Sequence, residues 1–327
     1  MIRQETIDAA IKALFSGIQF TNEPSGLYDP LRYMIEIGGK RIRPKLCLTT
    51  YSLYKDEIGR DILEPAAGLE VFHSFTLIHD DIMDDAPLRR GKPTVYRKWN
   101  SNIAILSGDA LSAMALREIL KTPCDPETAV RLSQLMAETG VGICEGQQLD
   151  LDFESRNEVS ISEYIEMIRL KTAVLLTACL KAGAIIAGAN EHNLAAVDEF
   201  GTNLGLAFQL KDDLLDVYAD DTVFGKVNGG DIKVNKKTYL YLKALEDANP
   251  EQKKILDHYF SSTDFDFDEK YNAIKKVYEE LAIRQKTEQA IEAYVQKGLN
   301  ALQSMDVDAQ RKTELSTLIT DMSNRNK

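Results

Sequence analysis

From Ala129 to Asn249 the chain contains no proline, and its apolar residues recur there at helical spacing. Stretches 129–149, 161–188 and 194–220 all carry the i, i+3, i+4, i+7 pattern, as does 66–79 further upstream. Alternating segments bounded by hairpin turns are missing, so the expectation is an all-α protein. Several stretches, such as 173–188, are apolar on nearly every face, which requires other helices to wrap them. No linker rich in Pro, Gly or Ser divides the chain. The expectation is therefore a single all-α domain, residues 1–327.

Composition narrows the function. A net charge of −12 with 28% charged residues argues against a general nucleic-acid binder, which carries a basic footprint. It leaves room for local cationic pockets. The four cysteines (Cys47, Cys124, Cys144, Cys179) have no metal-binding spacing and read as reduced, mostly buried thiols, which points to the cytoplasm. No run approaches the roughly 18 apolar residues of a membrane-spanning helix, so no membrane partner is expected.

Two helical stretches break their own apolar runs with the same acidic pattern, D-D-x-x-D. Asp80, Asp81 and Asp84 stand in LIHDDIMDD; Asp212, Asp213 and Asp216 stand in FQLKDDLLD. Positions i and i+4 share a helix face, with i+1 alongside, so each motif aims its carboxylates into one volume. Unit charges about 6 Å apart repel by roughly 3 kcal/mol at an effective dielectric of about 20. One acidic cluster usually marks a solvated face, but two of identical pattern, each preceded by apolar sequence, favour hard cations. Magnesium, which accepts a few carboxylates together with waters and phosphates, is the natural occupant.

Cations cluster nearby in sequence. IGGKRIRPKLC places Lys40, Arg41, Arg43 and Lys45 directly after Gly38 and Gly39, whose freedom allows a left-handed helix end or close approach to a ligand. Arg89 and Arg90 in LRRGKPTVY follow Asp84 by five and six residues. In an acidic protein such groups invite a polyanion, and a diphosphate fits. A solvated helix start and a surface turn are the plainer readings of these two segments. His73 lies two turns before Asp80, while Lys171, Thr172 and Gln209 interrupt apolar helices. Gln147 and Asp150 lie in EGQQLD, and Lys226 and Lys236 in a polar, glycine-bearing segment (220–238) that reads as a candidate lid.

In this order, the segments GGKRIRP, HDDIMDDAPLRRGKPT, GQQLDL, LKTA, FQLKDDLLD and GKVNGGDIKVNKKT closely resemble the trans-isoprenyl diphosphate synthases, or polyprenyl synthetases. The resemblance covers roughly residues 35–240. It implies an all-α homodimer, each chain a single large helical bundle in which both acidic motifs line one deep central cavity and several magnesium ions grip an allylic diphosphate. Carried over residue by residue, Asp80, Asp84, Asp212 and Asp216 are implied metal ligands, with Asp81 and Asp213 as further ligands or holders of metal-bound water. Arg89, Lys171, Thr172, Gln209, Lys226 and Lys236 are implied allylic diphosphate contacts. Lys40, Arg43, His73 and Arg90 are implied contacts of isopentenyl diphosphate. The lid departs from pattern, since GKVNGGD carries one more residue between Lys and Asp than many relatives have.

The implied reaction is magnesium-dependent head-to-tail condensation of isopentenyl diphosphate with dimethylallyl, geranyl or farnesyl diphosphate. Phe72, Phe75 and Thr76, which lie eight, five and four residues before Asp80, would form the floor that limits product length. In the family an aromatic at the fifth position goes with short products. A product of fifteen or twenty carbons is therefore expected, with a lean to geranylgeranyl diphosphate. A longer-chain synthase is the alternative, and a type I terpene cyclase is more remote: its second metal motif is of the N-D-x-x-S-x-x-x-E kind, where this chain has DDLLD. A non-catalytic partner subunit would be expected to have eroded acidic motifs, and both are complete.

Overall fold

The computed structural model describes residues 2–17, 20, 22–219, 228–262 and 264–324. In chain order the elements are α1 (Gln4–Gly17), α2 (Ser25–Glu36), α3 (Ile42–Tyr51), α4 (Arg60–Met83), β1 (Leu88–Arg89), β2 (Lys92–Pro93), α5 (Val95–Lys98) and α6 (Ser101–Ile119). They continue with α7 (Pro126–Ser155), α8 (Ile161–Ile168), a π-helical turn (Arg169–Ala173), α9 (Val174–Ala187) and α10 (Glu191–Tyr218). The last are α11 (Gly230–Lys233), α12 (Tyr239–Asp247), α13 (Pro250–Phe260), α14 (Phe267–Glu280), α15 (Ile283–Ser304) and α16 (Ala309–Asn324). The expected helices are present, and among the described residues the protein is all-α apart from one hairpin with two-residue strands.

Local chemistry sets several helix starts. Asn100 accepts from the Ile103 amide at 2.9 Å to cap α6. Ser160 with Glu163, and Asn249 with Gln252, form reciprocal capping boxes on α8 and α13, the latter with Pro250 in the first turn. The hairpin was not anticipated from the sequence. Leu88 pairs with Pro93 and Arg89 with Lys92, and the two tip residues, Arg90 (φ 53°) and Gly91 (φ 76°), are both left-handed. That is the backbone a tight two-residue hairpin requires.

The chain forms two compact units. The first comprises Met1–Glu138, Ala178–Asp198 and Met305–Leu315; the second comprises Thr139–Thr177, Glu199–Ser304 and Ser316–Lys327. The first is organised on α4 and α6, which run antiparallel at close range. A methyl group on Gly68 would lie 2.8 Å from the Ala115 carbonyl oxygen, and one on Gly108 would lie 2.2 Å from the His79 ring. Around this pair, Leu31, Leu46, Ile62, Leu69, Ile78 and Leu111 are fully buried. The core of the second unit includes Phe200, Leu204, Leu210, Leu240, Ile274 and Ile283, all without exposure.

The stretch Ile161–Ala187 is long and apolar enough to cross a membrane by length and composition alone, but 67% of its most apolar window is buried within the protein, as in a core helix. The cysteines also divide evenly: Cys47 and Cys179 are buried, while Cys124 is half-buried and Cys144 exposed.

Within the first unit, α3 and α9 touch backbone to backbone at Gly183, where a methyl group would lie 2.2 Å from the Cys47 carbonyl oxygen and 3.0 Å from the Tyr51 amide. Neither neighbour is a flexible side chain, so the helices themselves must part. Gly183→Ala is expected to destabilise the protein by about 1–3 kcal/mol, read as a lowered midpoint in chemical denaturation.

Candidate active site

In the first unit, the first acidic motif occupies the last turn of α4. Asp80 is half-buried, Asp81 is 1% exposed, and Asp84 is exposed at the helix end. Asp81 is gripped by Arg89, whose Nε and Nη2 donate at 2.7–3.0 Å to both carboxylate oxygens. Burial pushes the Asp81 carboxyl up, and Arg89 opposes that rise. Asp81 thus anchors the arginine hairpin to the helix, and Asp80 and Asp84 stand one turn apart on the same face at its end.

The tip of this hairpin carries Arg90, whose guanidinium lies over the α-carbon of Gly39; a methyl group there would meet it at 2.5 Å. This close approach, with Gly38 and Gly39 both at positive φ (79° and 152°), explains the paired glycines. Arg43 follows in the first turn of α3, its Nε buried and unpaired among the described residues. His73 is held well below its ordinary value by burial and then by Arg43, Arg90, Arg89 and Arg41, so it is a neutral imidazole at physiological pH. Arg43, His73 and Arg90 therefore gather as a cationic cradle with one neutral hydrogen-bonding group, and Lys40, exposed, follows Gly39 in the chain.

Below the acidic motif, Phe72 is buried and Phe75 half-buried. Their rings meet edge to face at 5.2 Å, and Phe75 meets His79 in the same way at 5.0 Å. The Thr76 hydroxyl donates to the His73 carbonyl at 2.9 Å and is buried.

In the second unit, α10 presents the other motif. Asp212 and Asp216 are half-buried, and Asp213 is 4% exposed. The buried one is again tied back: Tyr164 donates its hydroxyl to Asp213 Oδ2, and Gln209 Nε2 donates to Oδ1 at 3.0 Å. Thr172 donates to the Gln209 oxygen at 2.9 Å. Burial pushes the Asp213 carboxyl up to about 6, against the pull of those two donors.

Thr172 and Lys171 belong to the π-helical turn, an extra residue per turn that often marks a functional position. The turn is braced by Gly146 of α7, where a methyl group would lie 2.3 Å from the Lys171 amide. Lys171 Nζ pairs with Asp150 at 2.5 Å, and Lys236 Nζ reaches the same oxygen at 3.4 Å. Burial pushes Asp150 up, but Lys236 and Lys171 outweigh it and hold the carboxyl below its ordinary value. Gln147, one turn before Asp150, is buried with its amide unpaired among the described residues.

The half of the candidate lid that is described is pinned. The Gly229 amide donates to the Asp216 carbonyl at 2.6 Å and the Asp231 amide to the Asp216 carboxylate at 3.0 Å. Lys226 lies outside the described residues, as do Arg325 and Lys327 at the tail. Asp231, Tyr164 and Glu70 were not singled out from sequence. Asp231 is pushed up to about 7 by burial and then by the Asp216 charge, which makes it part of the acidic face.

Among the described residues no three His, Cys, Asp or Glu side chains gather into a closed metal cage. Open pairs of carboxylates suit an ion that keeps several waters and takes phosphate oxygens as ligands. This all-oxygen donor set fits a hard cation such as magnesium and lacks the nitrogen and sulfur ligands that zinc favours.

A family model described as polyprenyl synthetase matches residues 24–281. The geranylgeranyl diphosphate synthase of Methanosarcina mazei is 40% identical over 244 residues, covering 75% of this chain and 74% of its own. A crystal structure of a geranylgeranyl pyrophosphate synthase superposes with a TM-score of 0.93 at 41% identity, over 100% of both chains. A geranylgeranyl pyrophosphate synthase from Corynebacterium glutamicum, complexed with isoprenyl diphosphate and magnesium, gives a TM-score of 0.85 at 27% identity over 98% of each chain.

Asp213 yields a pH prediction. Its folded value, about 6, lies above the ordinary 3.8, so the proton is bound more tightly in the folded state. Its stabilising contribution is complete below 3.8 and is lost as pH rises through about 6. In metal-free buffer, Asp213→Asn should lose less stability than the parent between those two values, measured by thermal denaturation across a pH series.

Proposed function

The chain belongs to the polyprenyl synthetase family, and from that premise we propose how its two acidic faces and its cationic cradle divide the work. The protein is a prenyltransferase that makes a short-chain trans-prenyl diphosphate by head-to-tail condensation, with geranylgeranyl diphosphate as the favoured product. The substrates of the family are isopentenyl diphosphate and an allylic diphosphate.

Asp80, Asp84, Asp212 and Asp216 hold magnesium, with Asp81 and Asp213 fixing the two faces through Arg89 and Tyr164. Bound magnesium would neutralise charge on the diphosphate oxygens as a Lewis acid. Lys171, Lys236, Arg89 and Lys226 share the allylic diphosphate, while Thr172 and Gln209 line the same face. As the allylic C–O bond breaks, its electron pair leaves with the diphosphate, and these cations stabilise the growing charge. The double bond of isopentenyl diphosphate, held by Lys40, Arg43, His73 and Arg90, attacks the allylic carbon. A proton then leaves to the released pyrophosphate, so no protein nucleophile is needed. The neutral state of His73 suits this role, since it adds a hydrogen bond without competing for the proton.

Phe75 and Phe72 stop the growing tail. Their edge-to-face contact on the stripe of α4 that descends from Asp80 is the observation that carries this reading. The proposal treats both units as one catalytic domain in the cytoplasm, in keeping with thiols that form no disulfide among the described residues. It also includes a homodimer, for which α6 offers the exposed apolar residues Ile105, Leu106, Leu116 and Leu120.

Asp80→Ala and Asp212→Ala should each lower turnover by about a thousandfold, the upper range for one lost transition-state contact. Near-normal rates in either variant would remove that residue from the metal site. Phe75→Ala should shift products beyond twenty carbons in chromatography of the dephosphorylated prenyl alcohols. An unchanged distribution would dismiss the floor.

A further inference from the structure

Glu70 is the most costly residue on α4 that the reaction does not use. It lies ten residues before Asp80, between the buried Leu69 and Val71, and is itself 3% exposed. A carboxylate taken out of water needs a partner of opposite charge to survive ionised. Its Oε1 has one, the Arg41 guanidinium at 2.7 Å. Its Oε2 is buried and makes no hydrogen bond among the described residues.

The partner is equally constrained. Arg41 sits at the start of α3 with φ 49°, a left-handed backbone that turns its side chain inward. Its second nitrogen donates to the Ile35 carbonyl at 2.9 Å, and its guanidinium lies 4.3 Å above the Phe15 ring. Arg41 is therefore committed to the interior and is not available to an anion. Its neighbours Lys40 and Arg43, on either side in the same turn, are the ones that face a ligand. Arg43 Nε, like Glu70 Oε2, is buried with no hydrogen bond among the described residues. Two unsatisfied groups of opposite charge within electrostatic reach of each other are what a site looks like before its ligand and ordered waters complete it.

We propose that Glu70 is a positioning residue for isopentenyl diphosphate: it locks the GGKRIRP turn through Arg41 and holds the cradle's guanidinium groups, Arg43 and Arg90, gathered before substrate binds. Without it, the guanidinium groups of Arg41, Arg43 and Arg90, all of which bear on the neutral His73, would lose a counter-charge. Consistent with this, Glu70 is the largest charge favouring the cationic form of both Arg43 and Arg90, offsetting what burial takes away. The inference rests on the assignment of Lys40, Arg43, His73 and Arg90 to the isopentenyl diphosphate.

The test is steady-state kinetics of Glu70→Gln, which keeps the shape and removes the charge, with each substrate varied in turn. The Michaelis constant for isopentenyl diphosphate should rise at least about thirtyfold, the lower range for breaking a buried charge pair. The constant for the allylic diphosphate should stay within about twofold. A parallel rise in both constants, tracking a fall in melting temperature, would mean a merely structural ion pair and overturn the proposal. An unchanged isopentenyl constant in Glu70→Gln, with a raised one in Arg90→Ala, would sink Glu70 while leaving the cradle intact. Unchanged constants in both variants would remove the cradle as well. If Glu70→Gln does not fold, Glu70→Asp carries the same test, because it keeps the charge and withdraws it by one methylene. A rise selective for isopentenyl diphosphate supports the role, and an equal rise for both substrates refutes it.

Discussion

A carboxylate buried in an apolar helix must be paired, and that single requirement shapes both acidic faces. In each D-D-x-x-D motif the middle aspartate is the buried one, and each is answered by a residue from another element. Asp81 takes the fork of Arg89, and Asp213 takes the hydroxyl of Tyr164 and the amide of Gln209. The pairing turns an electrostatic cost into alignment. The second aspartate is tied down in each motif, and the first and third stand a turn apart on one helix face, where the proposed function puts the metal.

The same logic extends outward. Asp150 gathers Lys171 and Lys236, the two cations that the proposed function gives to the allylic diphosphate, at one anion. Glu70 does the corresponding work for the arginines of the other unit. Charge is preorganised in both places, which is how an enzyme stabilises a leaving diphosphate without reorganising at the moment of reaction. Glycines allow the close approaches this needs: Gly39 under Arg90, and Gly146 against the backbone of Lys171.

Much of this could be read from sequence, for definable reasons. The helices were legible because period-3.6 patterning persists through long stretches without proline. The acidic motifs were legible because they violate that patterning. Other features left weaker traces. Arg90-Gly91 at the hairpin tip is a turn dipeptide, but its strands are only two residues long and show no alternation. Glu70 shares a helix face with His73, one turn away, so a helical wheel could have flagged it. The π-helical turn has no periodic signature, since one inserted residue looks like ordinary helix. Tyr164 and Asp213 lie 49 residues apart, and only tertiary packing joins them.

The central claim is that the acidic faces and the cationic cradle serve one condensation between two diphosphates. It is tested most directly by incubating the purified protein with magnesium, isopentenyl diphosphate and allylic starters of increasing length, then identifying the products. The account predicts a prenyl diphosphate centred on twenty carbons, formed only when both substrates and the metal are present. A hydrocarbon made from farnesyl diphosphate alone, or turnover that ignores isopentenyl diphosphate, would contradict it.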